Sequence, residues 1–163
     1  MTEQTVDVLI IGAGAAGAAV AWSLADTRMH ILCLEQGDWV HSDAYPGLRA
    51  NWELSQAGDF AVSPNTRRRP EDYPVNDSDS PISMSMFNGV GGSTVLYAAH
   101  FPRFHPSDFH VRTLDGVAED WPIDYQRLEP FYALNDRMTG VAGLTGDPAY
   151  PPKEVPLPPV RLG

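Results

Sequence analysis

Cysteine, long apolar runs and basic side chains are all scarce in this sequence of 163 residues. Cys33 is the single cysteine, so no disulfide can form within the chain, and its apolar neighbours predict a buried core thiol. No apolar run approaches the ~20 residues that a membrane-spanning helix needs. No basic segment followed by an apolar one opens the chain, which excludes a signal-peptide pattern, and we therefore expect a cytoplasmic protein without a membrane span.

Positive charge is outnumbered, because 11 Lys and Arg stand against 21 Asp and Glu, for a formal net charge of −10. Such an acidic surface argues against a nucleic acid as the partner. The negative charge does not exclude a phosphate-containing ligand, because a helix N-terminus binds phosphate without a cationic side chain. We expect no metal site, since His100, His105 and His110 share no helix face and no Cys or acidic pattern accompanies them.

The clearest structural signal is one βαβ unit at the start of the chain. Val6–Ile11 is a nearly continuous apolar run, which is typical of a parallel strand buried on both faces. Ala15–Ala25 is rich in Ala and Leu and predicts a helix. His30–Leu34 predicts a second buried strand, so the pattern indicates an α/β fold.

A glycine motif between the first strand and the helix points to a nucleotide ligand. Gly12, Gly14 and Gly17 form a GxGxxG, and Glu35 ends the second strand 18 positions after the last glycine. Gly12 permits a tight turn, Gly14 lets a pyrophosphate approach the backbone, and Gly17 lets the helix pack close to the strand. The Glu35 carboxylate can accept hydrogen bonds from ribose hydroxyls. The predicted cofactor-binding residues here are Gly12, Gly14, Ala15, Ala16, Gly17, Glu35 and Gln36. The alternative is a glycine turn that binds nothing.

A second glycine cluster occupies Asn88–Thr94. The alternating run Ile82–Phe87 predicts a strand before it. Consecutive glycines allow a close approach of backbone to a ligand, and hydroxyls follow at a predicted helix start. Two such turns suit one long dinucleotide that is contacted twice, and a plain loop is the alternative. The predicted contacts are Gly91, Gly92, Ser93 and Thr94.

Elsewhere the signals are shorter. Leu48–Gln56 predicts a short helix, and Arg67–Arg69 predicts a solvated turn rather than a phosphate clamp. Asp124 is a good N-cap for a helix that Gly140 would end. The prolines between residues 151 and 159 are typical of a linker.

With these motifs the sequence resembles the glucose–methanol–choline (GMC) oxidoreductases, in particular the branch that contains gluconate dehydrogenase large subunits. The resemblance runs over nearly the whole chain. Ala21 and the sequence Leu-Glu-Gln-Gly around Glu35 also resemble flavoproteins with two dinucleotide-binding domains. The segments that carry the GMC resemblance are the glycine motif, Val90–Thr94, Arg103–Phe109, Glu119–Tyr125, Leu128–Tyr132, Gly140–Gly143 and the prolines near the end.

The resemblance implies the N-terminal part of a Rossmann-like, glutathione-reductase-type FAD-binding domain with loop-rich insertions, which is incomplete in this chain. Residues 1–40 would be the FAD-binding βαβ unit and 41–81 a loop-rich insertion. Residues 82–110 would be the second FAD-contacting segment, and 111–163 the start of a substrate region that ends in a Pro-rich linker. The second cluster would lie along the flavin diphosphate and ribityl chain.

The sequence departs from the GMC pattern at two positions. Phe87 stands where the family often has Gly or Ala, and Tyr97 stands where it often has Asn or His, close to the isoalloxazine. Some relatives attach FAD covalently through a histidine in this segment. Thr94–Tyr97 contains none, so we expect FAD bound non-covalently.

The implied activity is oxidation of a CH–OH donor (an alcohol, polyol, sugar or sugar acid) by hydride transfer to the flavin. The family's catalytic histidine and its partner match nothing here, so we expect no catalytic residue in this chain and no activity from it alone. A non-catalytic nucleotide-binding fragment, or a subunit completed by another chain, is the alternative. An NAD-dependent Rossmann dehydrogenase is a third reading, which leaves Val90–Thr94 unexplained. The electron acceptor stays open among oxygen, a quinone and a cytochrome.

Overall fold

The structure is a computed structural model that describes residues 5–41, 58–97, 100–154 and 157–159. The chain divides into two compact units, residues 1–98 and 99–163, which we describe separately. None of the helices in these ranges is both long and apolar enough to cross a membrane. The short helix predicted at Leu48–Gln56 lies outside the described residues.

The first unit begins with the predicted βαβ arrangement. Strand β1 is Val8–Ile11, helix α1 is Ala15–Leu24 and strand β2 is Ile31–Leu34. The two strands pair in parallel, with Val8 opposite Ile31 and Ile11 opposite Leu34. A crossover helix between adjacent parallel strands is the hallmark of α/β folds, so the fold class predicted from sequence is confirmed.

The expectation that both strands are buried on both faces is wrong. Ile10 on β1 is buried, but a row of aliphatic side chains on the two strands is exposed. Cys33, predicted as a buried core thiol, is exposed as well. The row on the opposite face is exposed because α1 packs on the sheet from the Ile10 side, where Gly17 brings the helix close to β1. Cys33 lies opposite Ile10 in the ladder, on the same face as the helix, and α1 leaves it uncovered. The exposed row is Leu9, Ile11, Leu32 and Leu34.

Beyond residue 58 the first unit is mostly irregular. A single turn of helix, α2, spans Pro64–Arg67, and a 3-10 turn spans Gly92–Val95. The strand predicted at Ile82–Phe87 is wrong, because this segment forms no ladder. It runs beside another loop and makes one backbone hydrogen bond, from Met86 N–H to the Val62 carbonyl (3.0 Å).

The turn predicted at Arg67–Arg69 is not solvated throughout. Arg67 is buried and pairs with Asp72, while Arg68 adopts a left-handed conformation with φ of 52°. Three consecutive arginines look alike in sequence, but they differ in burial. Arg67 is buried against a carboxylate and two carbonyls, whereas Arg69 is partly exposed and pairs with Glu71 at 3.3 Å.

The second unit is built on helices. A 3-10 turn, Pro106–Phe109, leads into α3, Val111–Asp115, and the long helix α4 spans Tyr125–Thr139. The Asp124 carboxylate accepts the Arg127 N–H at 2.9 Å, as expected of an N-cap. Gly140 ends α4 in the left-handed conformation (φ 70°), so both predicted ends of this helix are confirmed.

An aromatic cluster forms the core of the second unit. The Phe109 ring is fully buried and packs edge-on against Trp121 and Tyr125, and the Phe104 ring lies against both Phe109 and Trp121. Beside it Arg103 is buried, with its guanidinium 2.7 Å from an oxygen of Asp136. Trp121 thus takes part in the packing of this unit, although half of its side chain is exposed.

The proline-containing end of the chain is not wholly a free linker. Leu157 forms an isolated parallel bridge with Ala142 just beyond α4. Its N–H donates to the Val141 carbonyl and its carbonyl accepts the Gly143 N–H, both at 3.2 Å. Proline cannot donate to such a bridge, so the one non-proline residue between Pro156 and Pro158 makes it.

Candidate functional site

The GxGxxG turn joins β1 to α1 in the geometry that its glycines allow. Gly12 adopts φ of +95°, which favours glycine, and its N–H donates to the Leu34 carbonyl at 2.7 Å. A Cβ on Gly17 would lie 2.0 Å from the Gly12 carbonyl oxygen, so only glycine lets the helix approach this closely. Gly14 caps α1 without a side chain, which leaves the first N–H groups of the helix pointing out from its N-terminus.

The two glycine clusters, 79 positions apart between Gly12 and Gly91, meet in the structure. The Gly91 N–H donates to the Ala13 carbonyl at 2.8 Å, and Gly14 and Gly91 form a parallel bridge. A Cβ on Gly92 would lie 3.1 Å from the Gly14 Cα, so the two backbones nearly touch. The structure therefore brings the two predicted cofactor-binding turns into one continuous backbone surface.

Open space lies in front of the first turn, which is the property that a pyrophosphate needs. A Cβ added to Gly12 would meet no atom within 4 Å, and one added to Gly14 would only touch the Gly92 Cα at 3.9 Å. The helix N-terminus supplies N–H groups and a positive dipole end at this place. The residues present thus fit a dinucleotide phosphate.

Glu35 ties the two clusters to the end of β2. The Ala13 N–H donates to Oε2 at 2.6 Å, and the N–H groups of Gln36 and Gly37 donate to Oε1 at 2.9 and 3.0 Å. These hydrogen bonds hold the pKa of Glu35 below its ordinary value, and the one from Ala13 has the largest effect. Burial acts in the opposite direction and raises the pKa, but it does not outweigh them. A carboxylate offers about four acceptor positions, so a ribose hydroxyl could still donate to Oε2.

We expect the Glu35→Gln variant to lose stability in a pH-dependent way. The amide replaces one acceptor oxygen by a donor, so a backbone N–H loses its partner. Because the folded pKa lies below the unfolded one, the wild-type carboxylate stabilises the fold above about pH 4.3, and this stabilisation disappears as the pH falls through the lowered folded pKa. Thermal unfolding from pH 3 to 7 should show the variant less stable at neutral pH, with the difference shrinking in acid.

Glu119→Gln, at an exposed position, is the matched control for loss of one negative charge. Its unfolding midpoint should follow that of the wild type at every pH. A difference between Glu35→Gln and wild type that stays constant down to pH 3 would contradict the role assigned to the ionised carboxylate.

The hydroxyls and the amide predicted as cofactor contacts have partners within the protein. The Ser93 Oγ accepts the Phe87 N–H at 3.3 Å, and the Thr94 hydroxyl donates to the Gly91 carbonyl. The Gln36 amide donates to the Glu71 carbonyl at 3.1 Å. These side chains hold the loops together, and their role as cofactor contacts stays a prediction.

Sequence reasoning missed three residues that build the site. Ala13 both donates to Glu35 and accepts from Gly91, the Asp38 carbonyl accepts the Val90 N–H at 3.2 Å, and Gly37 packs against the second cluster. For Gly37 a signal existed, since a glycine two residues after the acidic end of β2 suggests a close backbone approach. Among the described residues no group of three His, Cys, Asp or Glu is placed to hold a metal.

Comparison with known proteins agrees with this geometry. Residues 10–68 match the family described as the NAD(P)-binding Rossmann-like domain. The match contains the turn at Gly12–Gly17 and Glu35 at the end of β2.

Longer relatives match almost the whole chain. This chain is 42% identical, over 99% of its length, to the 2-methyl-1,2-propanediol dehydrogenase of Mycolicibacterium austroafricanum. It is 29% identical, over 97% of its length, to the fructose dehydrogenase large subunit of Gluconobacter japonicus. The gluconate 2-dehydrogenase flavoprotein of Pantoea cypripedii is 23% identical over 86% of the chain. The chain spans only 30%, 32% and 26% of these relatives.

Proposed function

We propose, from the premise that the relatives of this chain are GMC-type flavoprotein oxidoreductases, that the chain is the FAD-binding N-terminal portion of such an enzyme. One observation carries the proposal: the two glycine clusters form a single surface around open space at the N-terminus of α1. A dinucleotide matches that surface. The N–H groups at the N-terminus of α1 would donate to its phosphates, and the Glu35 carboxylate would accept from its ribose.

The cofactor would supply two-electron oxidation of a CH–OH group in an alcohol, polyol, sugar or sugar acid. The residues of this chain bind and orient it. Gly14 and Gly91 give the phosphates access to backbone N–H groups, and Glu35 holds the first turn while it accepts from the ribose. The groups that take the substrate proton are expected outside this chain, as is the electron acceptor.

An exposed apolar row on the sheet supports the proposal that the active protein is longer than this chain; the row consists of Leu9, Ile11, Leu32 and Leu34. Four aliphatic side chains on one sheet face form an apolar surface, which in α/β proteins is normally covered by further segments of the same protein. Since the matched relatives are about three times as long, we expect the remainder of the protein to pack there. The cytoplasmic location expected from sequence stays a prediction.

Two measurements on the full-length protein test the proposal. We expect it to purify with a flavin absorbance spectrum, and acid precipitation should release the flavin to the supernatant because no histidine stands at Thr94–Tyr97 for a covalent link. A folded full-length protein that neither retains nor rebinds flavin would refute the proposal. Flavin that stays with the precipitate would refute only the non-covalent attachment.

The Gly14→Ala variant separates cofactor binding from folding. The added methyl group would lie 3.9 Å from the Gly92 Cα, an ordinary contact, and Gly14 has the extended φ of −75° that alanine also adopts. We expect the thermal stability of the flavin-free protein to change by less than about 1 kcal/mol. Because the methyl group occupies the approach of the pyrophosphate, FAD affinity measured by calorimetry should fall at least tenfold. Unchanged affinity would contradict the phosphate site.

An NAD(P) cofactor is the second candidate, because the matching family is described by that ligand. Glu35 disfavours a 2′-phosphate by charge repulsion, which leaves NAD as the competitor of FAD. Titration of the flavin-free protein with each compound decides between them. Binding of NAD with an affinity above that of FAD would replace the flavin in this proposal.

A further inference from the structure

A buried ion pair between Arg67 and Asp72 contacts Phe87 and Asn88, at the start of the second glycine cluster. The Arg67 side chain is 0% exposed and that of Asp72 is 4% exposed. The guanidinium donates to both carboxylate oxygens, with Nε 2.9 Å from Oδ2 and Nη2 bonded to Oδ1. Two parallel hydrogen bonds between planar groups fix the orientation of each side chain, which a lysine could not do.

Arg67 also joins two loops that the chain brings together. Its Nη1 donates to the Ala61 carbonyl at 2.6 Å and to the Met86 carbonyl at 3.0 Å. The Met86 N–H donates to the Val62 carbonyl beside it. Together with this backbone hydrogen bond, the guanidinium holds the two irregular segments next to each other just before the second cluster begins.

Hydrogen bonds and ring contacts connect this ion pair to the second cluster. The Asn88 amide donates to Asp72 Oδ1 at 3.3 Å and to the Glu71 carbonyl at 3.2 Å. The guanidinium carbons of Arg67 and Arg69 lie 4.9 and 4.8 Å from the centroid of the buried Phe87 ring. The Phe87 N–H in turn donates to the Ser93 hydroxyl.

We propose that Arg67 and Asp72 are positioning residues for the second glycine cluster, so that they set the flavin affinity of the protein without touching the flavin. This inference rests on the proposed function, because the second cluster matters only if it contacts the cofactor. The pair holds Phe87 and Asn88, these hold Gly89–Ser93, and that segment lies against Ala13 and Gly14 of the first turn.

The experiment uses the full-length protein and compares Arg67→Lys and Asp72→Asn with wild type. Lysine keeps the charge but cannot form the paired hydrogen bonds, and asparagine keeps the shape but loses the charge. We expect both variants, at a temperature where the flavin-free protein is folded, to bind FAD at least tenfold more weakly. The visible spectrum of the remaining bound flavin should also shift, which a purely global loss of stability would not produce.

Asp136→Asn is the matched control, because it breaks a buried Arg–Asp pair in the second unit, where Arg103 donates twice to a single oxygen of Asp136. It should lower the thermal stability of the flavin-free protein while FAD affinity stays within about twofold of wild type. Wild-type affinity and spectrum in both Arg67→Lys and Asp72→Asn would overturn the proposal, and so would an equal loss of affinity in Asp136→Asn. A wild-type protein that binds no flavin refutes the proposed function instead.

Asn88→Ala keeps the test decisive if the ion-pair variants do not fold. It leaves the Arg67–Asp72 pair intact and removes only the amide that links the pair to the second cluster. The expected result is a loss of FAD affinity of about fivefold, smaller than that of the ion-pair variants. Affinity equal to wild type would overturn the proposed connection between the pair and the cluster.

Discussion

Replacing Gly37 by alanine is expected to separate the two glycine clusters. A Cβ at this position would lie 2.3 Å from both the carbonyl carbon and oxygen of Asn88 and 2.5 Å from the Gly89 nitrogen. These are backbone atoms, so no side-chain rotation relieves the overlap and one loop must move. We expect destabilisation of about 3 kcal/mol, at the upper end for overpacking. FAD affinity should fall at least 100-fold, since the surface that both clusters share is lost.

The comparison with Gly14→Ala makes this prediction specific. Each variant adds one methyl group near the two glycine clusters, but the one at Gly14 makes an ordinary contact with the Gly92 Cα at 3.9 Å, whereas the one at Gly37 overlaps backbone atoms. Thermal unfolding of the flavin-free proteins should therefore show a lower midpoint for Gly37→Ala and little change for Gly14→Ala. Equal midpoints for the two variants would show that the close approach of Gly37 to Asn88 is not a constraint of the fold.

Removing the charge of Asp136 is expected to give the largest loss of stability in the second unit. Arg103 donates to Asp136 Oδ2 from Nε at 3.0 Å and from Nη2 at 2.7 Å, while Nη1 donates to the Tyr125 hydroxyl at 3.2 Å. Burial alone would lower the pKa of Arg103, but the Tyr125 and Asp136 hydrogen bonds raise it, so the charge persists at every working pH. Asp136→Asn leaves that charge buried without its main partner, at a cost of about 3–5 kcal/mol.

Glu129 provides the control on the same guanidinium. Its carboxylate lies 3.2 Å from Arg103 Nη1 but is 40% exposed, so solvent screens the interaction. Glu129→Gln should cost less than about 1 kcal/mol. In contrast, Arg103→Met combined with Asp136→Leu removes both charges and should recover most of the stability lost by Asp136→Asn. A double variant less stable than Asp136→Asn would contradict the account of an uncompensated buried charge.

The parts of the fold predicted correctly are those specified within short stretches of sequence. Gly12–Gly17 prescribes a strand, a tight turn and a helix within a few residues, because each glycine meets a local steric demand. Asp124 and Gly140 likewise mark the two ends of α4, since capping involves only neighbouring backbone groups. The resemblance to flavoproteins rests on the same kind of local motif, and the relatives confirm it.

The incorrect predictions concern burial and pairing. Both faces of the strands and Cys33 were expected inside, and Arg67 outside, but one strand face and Cys33 are exposed and Arg67 is buried. An apolar run is buried only if something packs on it, and a charged side chain can be buried if a carboxylate faces it. The predicted strand at Ile82–Phe87 fails for the same reason, because alternation describes one strand and a ladder requires a second.

The sequence by itself determined that this protein has a βαβ unit with a phosphate-adapted turn, because both strands, the glycine turn and the helix lie within 27 consecutive residues from Val8 to Leu34. Only the tertiary structure decided that the second glycine cluster lies against that turn and that Glu35 holds the turn through backbone N–H groups. It also decided that Arg67 is buried against Asp72 next to the second cluster. Each of these contacts joins residues that are separated along the chain, and their approach depends on how the intervening loops pack.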